Sequence, residues 1–525
     1  MPHRLRDLLL VIISAVLLVL PYHFDWAWPF AYVAFIPYFF ALNRKSSGGA
    51  FKYSYLFGFL FFCFLGYWLI HVNVVGFIAL AAYLALYFAF FGLVSVRFLY
   101  PADETERSDT RKAIPAVFFI AAFWVVGEYL RGWIASGLPW ALLSYGQWKN
   151  LWVIQISDIT GCYGVSFFVM LVNLLIYKIL RMPKTRLAAV AALILLGSVL
   201  TVCAYGLIVL NIRDSFYKSA SAEKKQIRVS VVQGNIPQDQ KWDRKIKNII
   251  FEKYKRLTFM SATEKPDLIL WPETSFPGYF EDEPLLAAQL RSTIRQAHTD
   301  VLVGAPTLGD LERGLQFYNT AILFGPDGEE RKRYHKVHLV PFGEFVPFEP
   351  ALGFLRKFFA IGHFSAGNEK TIFETQTRTQ NPNRKFKFAA LICYEDIFPG
   401  LVREFCLAGA DFLVNVTNDA WFGKTAAPYQ HAQGSLFRAV ENRVPVVRAA
   451  NTGLSCFISP EGRILASVKD NGKEIFVTGH QGYTLTIRKT PSFYTRFGDV
   501  FVALMFLLCF LAYRHRSKHT AYSEV

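Results

Sequence analysis

Long apolar stretches occur at both ends of the chain and are separated by a region of mixed polarity. A helix that spans a membrane needs about 20 mainly apolar residues. The polar breaks delimit eight candidate spans: Leu8–Leu20, Trp28–Leu42, Tyr53–Ile70, Val75–Phe98, Ala113–Tyr129, Tyr163–Leu180, Leu187–Leu210 and Val500–Tyr513. The pattern therefore predicts a bundle of about seven spans within residues 1–212, one further span within residues 493–513, and a tail at residues 514–525.

The region between these ends, residues 226–482, has short apolar runs that alternate with helical patterns. The predicted strands include Ile227–Gln233, Leu268–Trp271 and Phe412–Val416, and the predicted helices include Lys241–Met260 and His431–Asn442. Strands that alternate with helices are typical of a globular domain with covered sheets. We therefore expect one folded domain inserted between the last two spans.

Composition and charge predict that the chain lies in a membrane and in which orientation it crosses it. The 525 residues are 53% hydrophobic and 16% aromatic, which indicates a membrane protein. The net charge is +16, and lysine and arginine collect in every second loop between the spans. By the positive-inside rule, both termini are cytoplasmic and residues 226–482 lie on the outer side, in the periplasm of a Gram-negative cell. These loops explain the basic charge, and the chain has no nucleic-acid-binding motif.

The cysteines do not form a framework of disulfides. The chain has seven, and three of them, Cys393, Cys406 and Cys456, fall in the outward domain. An odd number of scattered cysteines does not predict disulfide pairing, although a bridge between Cys406 and Cys456 stays open. Metal-ligand spacings and glycine-rich phosphate loops are absent from the sequence, so we expect neither a metal nor another cofactor.

Candidate chemistry begins at residues 387–400, KFAALICYEDIFPG, where an apolar run ends in Cys393. The run predicts a buried strand, and the end of a buried strand is a rigid support for a reactive group. Cys393 is therefore a candidate nucleophile. The alternative is a cysteine that only fills the core, because free cysteines are among the most buried residues.

Two upstream segments favour the nucleophile. Residues 267–273, DLILWPE, end another apolar run at Glu273, and residues 334–347, YHKVHLVPFGEFVP, contain Lys336 and Glu344. Each residue alone could lie on the surface. Together they supply a base for the thiol, a cation for the thiolate and a developing oxyanion, and a second carboxylate.

The order Glu, Lys, Cys in the settings WPE, YHK and CYE resembles the nitrilase superfamily, which implies an α-β-β-α sandwich that carries such a triad. The longer segments WPET, ICYE, NDAWFG and NRVPVVRAANTG, with seven spans before the domain and one after it, resemble the apolipoprotein N-acyltransferase family. This resemblance implies transfer of an acyl chain from a phospholipid, through a cysteine thioester, to the N-terminal amine of a diacylglyceryl-cysteine apolipoprotein.

The resemblance also assigns residues. It makes Glu273 the base, Lys336 the oxyanion partner and Cys393 the nucleophile. It assigns further places in the site to Glu344 and Glu395, as supporting carboxylates, and to Tyr394 and Trp242. An equally good interpretation of Trp242 is an aromatic residue that packs at the start of a helix.

Two other functions fit parts of the sequence. A membrane-anchored amidase or nitrilase would share the triad, but a small soluble substrate gives the spans no evident purpose. A transporter or receptor would use the outer domain only to bind a ligand. Ion pathways usually contain ionisable groups inside the spans, and here Glu128 is the clearest one.

A last candidate is the segment Pro350–Phe364, PALGFLRKFFAIGHF, which interleaves large apolar residues with Arg356 and Lys357. Such a mixture is typical of a segment that lies in the membrane interface. We expect it to enter the outer leaflet and to control lipid entry to Cys393 through Phe354, Phe358 and Phe359. The alternative is a helix packed on the sandwich.

Overall fold

The computed structural model of the chain describes residues 3–100, 109–218, 225–241, 243, 245–309, 316–354, 362–378, 384–488 and 490–522. It divides into two compact units. One comprises Met1–Lys218 with Phe497–Val525, and the other comprises Ser219–Arg496. The first is built of helices and the second contains both sheets.

The first unit is helical. Its α-helices, among the described residues, are α1 His3–His23, α2 Ile36–Leu42, α3 Ser47–Leu65, α4 Val74–Leu99, α5 Thr110–Arg131, α6 Leu151–Ile154, α7 Ser157–Thr160, α8 Cys162–Arg181 and α9 Arg186–Lys218. The last helix of the chain, Val500–Tyr522, also belongs to this unit. Short 3₁₀ helices cover Asp25–Tyr32, Tyr67–His71, Ile134–Ser136 and Leu143–Gln147.

Six helices in the described part of this unit are long and apolar enough to cross a membrane, so the predicted membrane bundle is confirmed with fewer spans than eight. The predicted span Trp28–Leu42 is instead a 3₁₀ helix followed by the short α2. Pro29 and Pro37 lack the amide hydrogen that a continuous helix requires, which favours this division. At the C-terminus the apolar part of the helix, Val500–Arg514, is shorter than a span.

The second unit has two six-stranded sheets. Its strands are β1 Lys225–Gln233, β2 Leu268–Leu270, β3 Asp300–Leu308, β4 Phe317–Phe324, β5 Glu330–His335, β6 Ile372–Gln376, β7 Lys385–Ile392, β8 Phe412–Thr417, β9 Val446–Ala450, β10 Cys456–Ile458, β11 Ile464–Ser467 and β12 Gly479–Ile487. Sheet 1 has the order β12-β1-β2-β3-β4-β5, and sheet 2 has the order β11-β10-β9-β8-β7-β6.

Helices cover the sheets. The remaining α-helices of the chain, among the described residues, are α10 Lys247–Ala262, α11 Pro284–Ala297, α12 Glu349–Leu352, α13 Pro399–Leu407, α14 Ala427–Asn442, α15 Phe493–Phe497 and α16 Val500–Tyr522. Phe251 of α10 and Leu290 of α11 share one buried core with Trp271 and Val303 of sheet 1. Helices α13 and α14 contact β7 and β9 of sheet 2, while β1 contacts β9 between the sheets. This is the expected α-β-β-α sandwich.

The sheet topology decides where chemistry can occur. Strands β1, β2 and β3 are parallel, as are β7, β8 and β9. The loops after β1 and β8 meet, because Asn418 Nδ2 donates a hydrogen bond to Gln238 Oε1 at 2.8 Å. The carboxyl ends of the two parallel sets therefore lie at the same side of the sandwich, where loops converge.

Candidate active site

Cys393 follows directly on the buried strand β7 and begins the 3₁₀ helix Cys393–Ile397. Its φ angle of 54° lies in the left-handed region, which costs a residue with a side chain roughly 1–2 kcal/mol. Its carbonyl oxygen accepts hydrogen bonds from Asn415 Nδ2 at 2.9 Å and from His431 Nε2 at 3.3 Å. These two bonds help to hold the strained backbone, while the residue as a whole stays partly exposed.

Glu273 lies just after β2, at the same side of the sandwich. Its segment runs so close to β3 that a Cβ atom at Gly304 would lie 2.2 Å from the carbonyl oxygen of Pro272, so the approach requires glycine. Glu273 is 7% exposed, and its Oε1 accepts a hydrogen bond from Asn319 Nδ2 at 2.7 Å. Burial raises the pKa of Glu273 above its ordinary value, although Lys336 opposes the shift. A carboxylate of this kind accepts a proton readily.

Lys336 follows β5 and is 1% exposed. Its Nζ lies 2.8 Å from Glu344 Oε2 and 4.0 Å from Glu273 Oε1. Burial alone would lower the pKa of Lys336, but Glu344, Cys393 and Glu273 together raise it above the ordinary lysine value. The ammonium is therefore a permanent positive charge at neutral pH. We call Glu273, Lys336 and Glu344 the lysine–glutamate cluster.

The thiol of Cys393 shares the electrostatic field of this cluster. Burial raises the pKa of Cys393 well above its ordinary value, the charge of Glu273 raises it further, and Lys336 lowers it. The resting thiol therefore keeps its proton at neutral pH, and the nucleophilic thiolate forms only when a base takes that proton. The structure thus brings Glu273, Lys336 and Cys393 together, and their catalytic roles stay a prediction.

Of the two carboxylates predicted to support the triad, Glu344 is partly buried beside Lys336 and Glu395 is fully buried. Glu344 accepts hydrogen bonds from Lys336 Nζ at 2.9 Å, from Asn319 Nδ2 at 3.1 Å and from the backbone nitrogen of Val340 at 2.8 Å. It therefore fixes the ammonium of Lys336 within its loop. Asn319 joins Glu344 to Glu273, because its amide group donates to both carboxylates.

Glu395 is fully buried and connects the loop of Lys336 to the end of β7. Its Oε1 accepts hydrogen bonds from Tyr334 Oη at 2.7 Å and from the backbone nitrogen of Val337 at 2.8 Å, and its Oε2 accepts one from the backbone nitrogen of Ile392 at 2.7 Å. Burial raises the pKa of Glu395 to about 7, against the effect of these bonds. The geometry is that of a side chain that positions Lys336 relative to Cys393.

Of the other predicted site residues, the structure describes only Tyr394 and Phe354. Tyr394 is buried, with its ring centroid 5.0 Å from that of Phe398. Phe354 is 55% exposed. Trp242, Phe358 and Phe359 lie outside the described residues, so their roles stay predictions. Cys406 and Cys456 are both free thiols.

Two site residues are missing from the sequence-based prediction. Asn319 bridges the two carboxylates, and Lys241 is 6% exposed with its Nζ 3.0 Å from the carbonyl oxygen of Glu273. The signal for Asn319 is its position in strand β4, which pairs with β5, the strand just before Lys336. The signal for Lys241 is its position one residue before Trp242, but a lysine beside a turn is usually solvated.

A second buried charged group contacts the backbone of Cys393. It comprises Asp396, Asp419, His431 and Arg448, which we call the histidine–aspartate cluster, and all four are at most 1% exposed. His431 Nδ1 lies 2.9 Å from Asp419 Oδ1, and His431 Nε2 lies 2.9 Å from Asp396 Oδ1. Arg448 Nη1 donates to Asp396 Oδ2 at 2.7 Å.

This arrangement fixes the protonation state of His431. Both ring nitrogens face carboxylates, which only accept, so both nitrogens carry a hydrogen. Burial alone would lower the pKa of His431, but Asp396 and Asp419 raise it to about 9. Burial likewise opposes ionisation of Asp396, yet His431 and Arg448 hold its pKa below the ordinary value. The cluster joins parts of the chain that are far apart in sequence, and sequence patterns carry no signal for such a pairing.

Comparison with known proteins gives two family matches. Residues 228–482 match the family described as carbon-nitrogen hydrolase. Residues 14–175 match the family described as apolipoprotein N-acyltransferase N-terminal domain. The first match runs from within β1 to within β12, and the second covers helices α2 to α7, about half of α1 and most of α8.

Full-length relatives are also similar. An apolipoprotein N-acyltransferase of Geobacter metallireducens is 36% identical over 98% of this chain and 96% of its own length. A protein of the same name from Rickettsia prowazekii is 31% identical over 91% of this chain and 94% of its own. Among solved structures, an amidase from Nesterenkonia sp. covers 50% of this chain and 90% of its own, at 19% identity and a TM-score of 0.36.

Proposed function

Because the chain belongs to the apolipoprotein N-acyltransferase family, we propose that it moves an acyl chain from a phospholipid to the N-terminal amine of a diacylglyceryl-cysteine apolipoprotein. One observation carries the proposal. Similarity to relatives of that name extends over 98% of the chain, so it includes the helical unit as well as the sandwich. A hydrolase of small soluble amides would need only the sandwich.

In the first half-reaction, Glu273 takes the thiol proton of Cys393, and the thiolate attacks the carbonyl carbon of a phospholipid ester. The negative charge that develops on the carbonyl oxygen is stabilised by the ammonium of Lys336. The carbon–oxygen ester bond then breaks, and the proton on Glu273 passes to the departing alcohol oxygen. A lysophospholipid leaves, and the acyl chain stays on Cys393 as a thioester.

In the second half-reaction, the amine of the acceptor attacks the thioester carbonyl. Glu273 takes one proton from the attacking nitrogen, the carbon–sulfur bond breaks, and that proton returns to the sulfur of Cys393. The product is an amide, and the site is restored. One base therefore serves both halves, in agreement with the raised pKa of Glu273.

Water competes with the amine for the thioester. The lysine–glutamate cluster is buried, with Glu273 and Lys336 exposed by 7% and 1%. A buried site strengthens the interactions of its charges and slows hydrolysis of a reactive intermediate. These features support a transferase that holds its thioester until an amine arrives.

The match to the carbon-nitrogen hydrolase family keeps a second function in view, a membrane-anchored amidase or nitrilase. Incubation of the purified protein with a phospholipid labelled in its acyl chains and a diacylated lipopeptide separates the two functions. We expect a labelled amide on the lipopeptide, and formation of the amide must require both substrates. Labelled free fatty acid as the main product, or no product, would contradict the transferase.

The helical unit and the family make the chain a bacterial membrane protein. We further propose that it lies in the inner membrane, with both termini cytoplasmic and the sandwich in the periplasm. A reporter that is active only outside the cytoplasm should function after Ala220 and fail after Lys112 or at the C-terminus. The opposite pattern would reverse the proposed orientation.

A further inference from the structure

The site contains a second buried lysine. Lys241 lies in the segment between β1 and α10, and its Nζ donates a hydrogen bond to the carbonyl oxygen of Glu273 at 3.0 Å. Only 6% of the residue is exposed. A buried ammonium is costly unless it compensates a negative charge nearby. The position of Lys241 therefore requires an explanation in terms of the charges that surround it.

The pairing of the two lysines differs. Lys336 forms ion pairs with both Glu344 and Glu273. Among the residues that the structure describes, no carboxylate oxygen lies within 4.0 Å of Lys241 Nζ. Its positive charge is instead felt by the carboxyl of Glu273 and by the sulfur of Cys393. Much of the charge of Lys336 is compensated by Glu344, whereas the charge of Lys241 is still available.

The charges of the site show what the positive charge of Lys241 can balance. When Glu273 holds the proton taken from Cys393, the negative charges that remain on Cys393 and the lysine–glutamate cluster are the thiolate and Glu344. Lys336 alone would leave this buried group with one uncompensated negative charge. The ammonium of Lys241 makes the group neutral, and a neutral buried cluster is far less costly than a charged one.

Building on the proposed function, we propose that Lys241 is the second cation of the site, and that its ammonium, held by the Glu273 carbonyl, stabilises the Cys393 thiolate. Lys336 remains paired with Glu344 and is directed toward the oxyanion. Lys241 thus stabilises the negative charge on the sulfur, and Lys336 stabilises the negative charge on the substrate oxygen.

The titration of Lys241 supports this assignment. Burial lowers the pKa of Lys241 to about 8, while the charges of Glu273 and Cys393 act in the opposite direction. Of the other charged groups of the site, Glu344 and Lys336 pair with each other, Glu395 acts on Lys336, and Asp419 acts on Cys393. Lys241 is therefore charged at neutral pH and loses its charge above about pH 8, so its effect on the thiolate must fade there.

The test measures the thiol directly and needs no lipid. The full-length protein in detergent is treated with iodoacetamide from about pH 6 to about pH 10, and alkylation of the Cys393 peptide is followed by mass spectrometry. In Lys241→Met, alkylation should be about tenfold slower than in the wild type near pH 7, and this difference should shrink above about pH 8, where Lys241 itself loses its charge. Lys241→Arg keeps the charge at every pH, so above about pH 8 its Cys393 should be alkylated at least as fast as that of the wild type.

Lys247→Met is the matched control. Lys247 begins α10 only six residues further on and pairs with Glu283 at 2.6 Å, outside the site. Its loss should leave the profile of Cys393 unchanged. Equal alkylation rates in Lys241→Met and the wild type near pH 7 would overturn the proposal. If Lys241→Met does not fold, the arginine variant decides, because alkylation slower than in the wild type at every pH would exclude a role for the charge. Since no acyl donor is used, failure of acyl transfer and failure of this proposal give different results.

Discussion

Two buried charged clusters meet at Cys393, and they differ in how their charges are paired. In the histidine–aspartate cluster, two cations balance two carboxylates, and His431 and Arg448 lie 2.7–2.9 Å from their partners. In the lysine–glutamate cluster, one cation is shared by two carboxylates at 2.8 Å and 4.0 Å. The first cluster is electrically complete, whereas the second is balanced only with the help of groups around it.

This difference in pairing is the one we expect between a cluster that stabilises structure and a cluster that exchanges protons. In the histidine–aspartate cluster, the raised pKa of His431 and the lowered pKa of Asp396 keep both groups charged at neutral pH, and His431 holds the carbonyl of Cys393. In the lysine–glutamate cluster, burial instead raises the pKa of Glu273. A carboxylate with a raised pKa next to a thiol can accept a proton and return it.

The largest expected effect is at Cys393, the residue at which the two clusters meet. With phospholipid alone, intact-mass analysis of the protein should show one added acyl group, and Cys393→Ala should abolish it. Cys406→Ala and Cys456→Ala are the controls, because both thiols lie elsewhere in the sandwich. An acyl group that persists in Cys393→Ala would place the nucleophile at another residue.

The next effect tests whether the lysine–glutamate cluster depends on shape as well as charge. Lys336→Arg keeps the charge but replaces a compact ammonium with a planar group that the fully buried site does not fit. We expect acyl transfer to fall by about 10²- to 10³-fold, the usual loss for a displaced oxyanion donor. Lys332→Arg, on an exposed part of β5, should change the rate very little. Equal tolerance at both positions would mean that Lys336 acts only as a surface charge.

A substitution in the histidine–aspartate cluster should lower the free energy of unfolding of the sandwich. His431→Gln leaves Asp396 and Asp419 with Arg448 as their only cation among the described residues. Loss of one member of a buried ionic group costs about 3–5 kcal/mol. Denaturant unfolding of the sandwich should show that decrease, and a change below about 1 kcal/mol would show that the cluster is not stabilising.

The smallest effect is the pH dependence of stability. The pKa of His431 is raised to about 9, so its contribution is complete below the unfolded value of about 6.5 and is lost as the pH rises through about 9. The melting temperature of the wild type should therefore decrease over this interval more than that of His431→Gln. Lys241, whose pKa is lowered, acts in the opposite direction above about pH 8. For that reason the difference between the two proteins is the quantity to measure.

The central strands of the sandwich could be predicted from the sequence, and two edge strands could not. The strands that end near Glu273 and Cys393 are buried on both faces, so they are continuous apolar runs. Strands β6 and β12 lie at the edges of their sheets and alternate buried with exposed or half-buried residues. Polar residues on an edge strand weaken the apolar pattern, so neither strand was predicted from the sequence.

The candidate site was predictable where a residue ends an apolar run. Glu273 and Cys393 meet that condition, and Lys336 follows a hairpin strand. Lys241 was predicted to begin a helix, but helix α10 begins at Lys247 and Lys241 lies in a turn. Pairs such as Asp396 with Arg448 depend on the fold of the whole domain, so local patterns do not contain them.

The pairing of β1 with β12 has a consequence for biosynthesis. The register places Lys225 opposite Ile487 and Gln233 opposite Gly479, so the first and last strands of the sandwich are neighbours. At about 5–20 residues per second, a ribosome needs on the order of tens of seconds to reach β12 after it has made β1. During this time, one edge of β1 has no partner strand and is open to pairing with other chains. The rate of synthesis therefore sets the earliest moment at which sheet 1 can be completed.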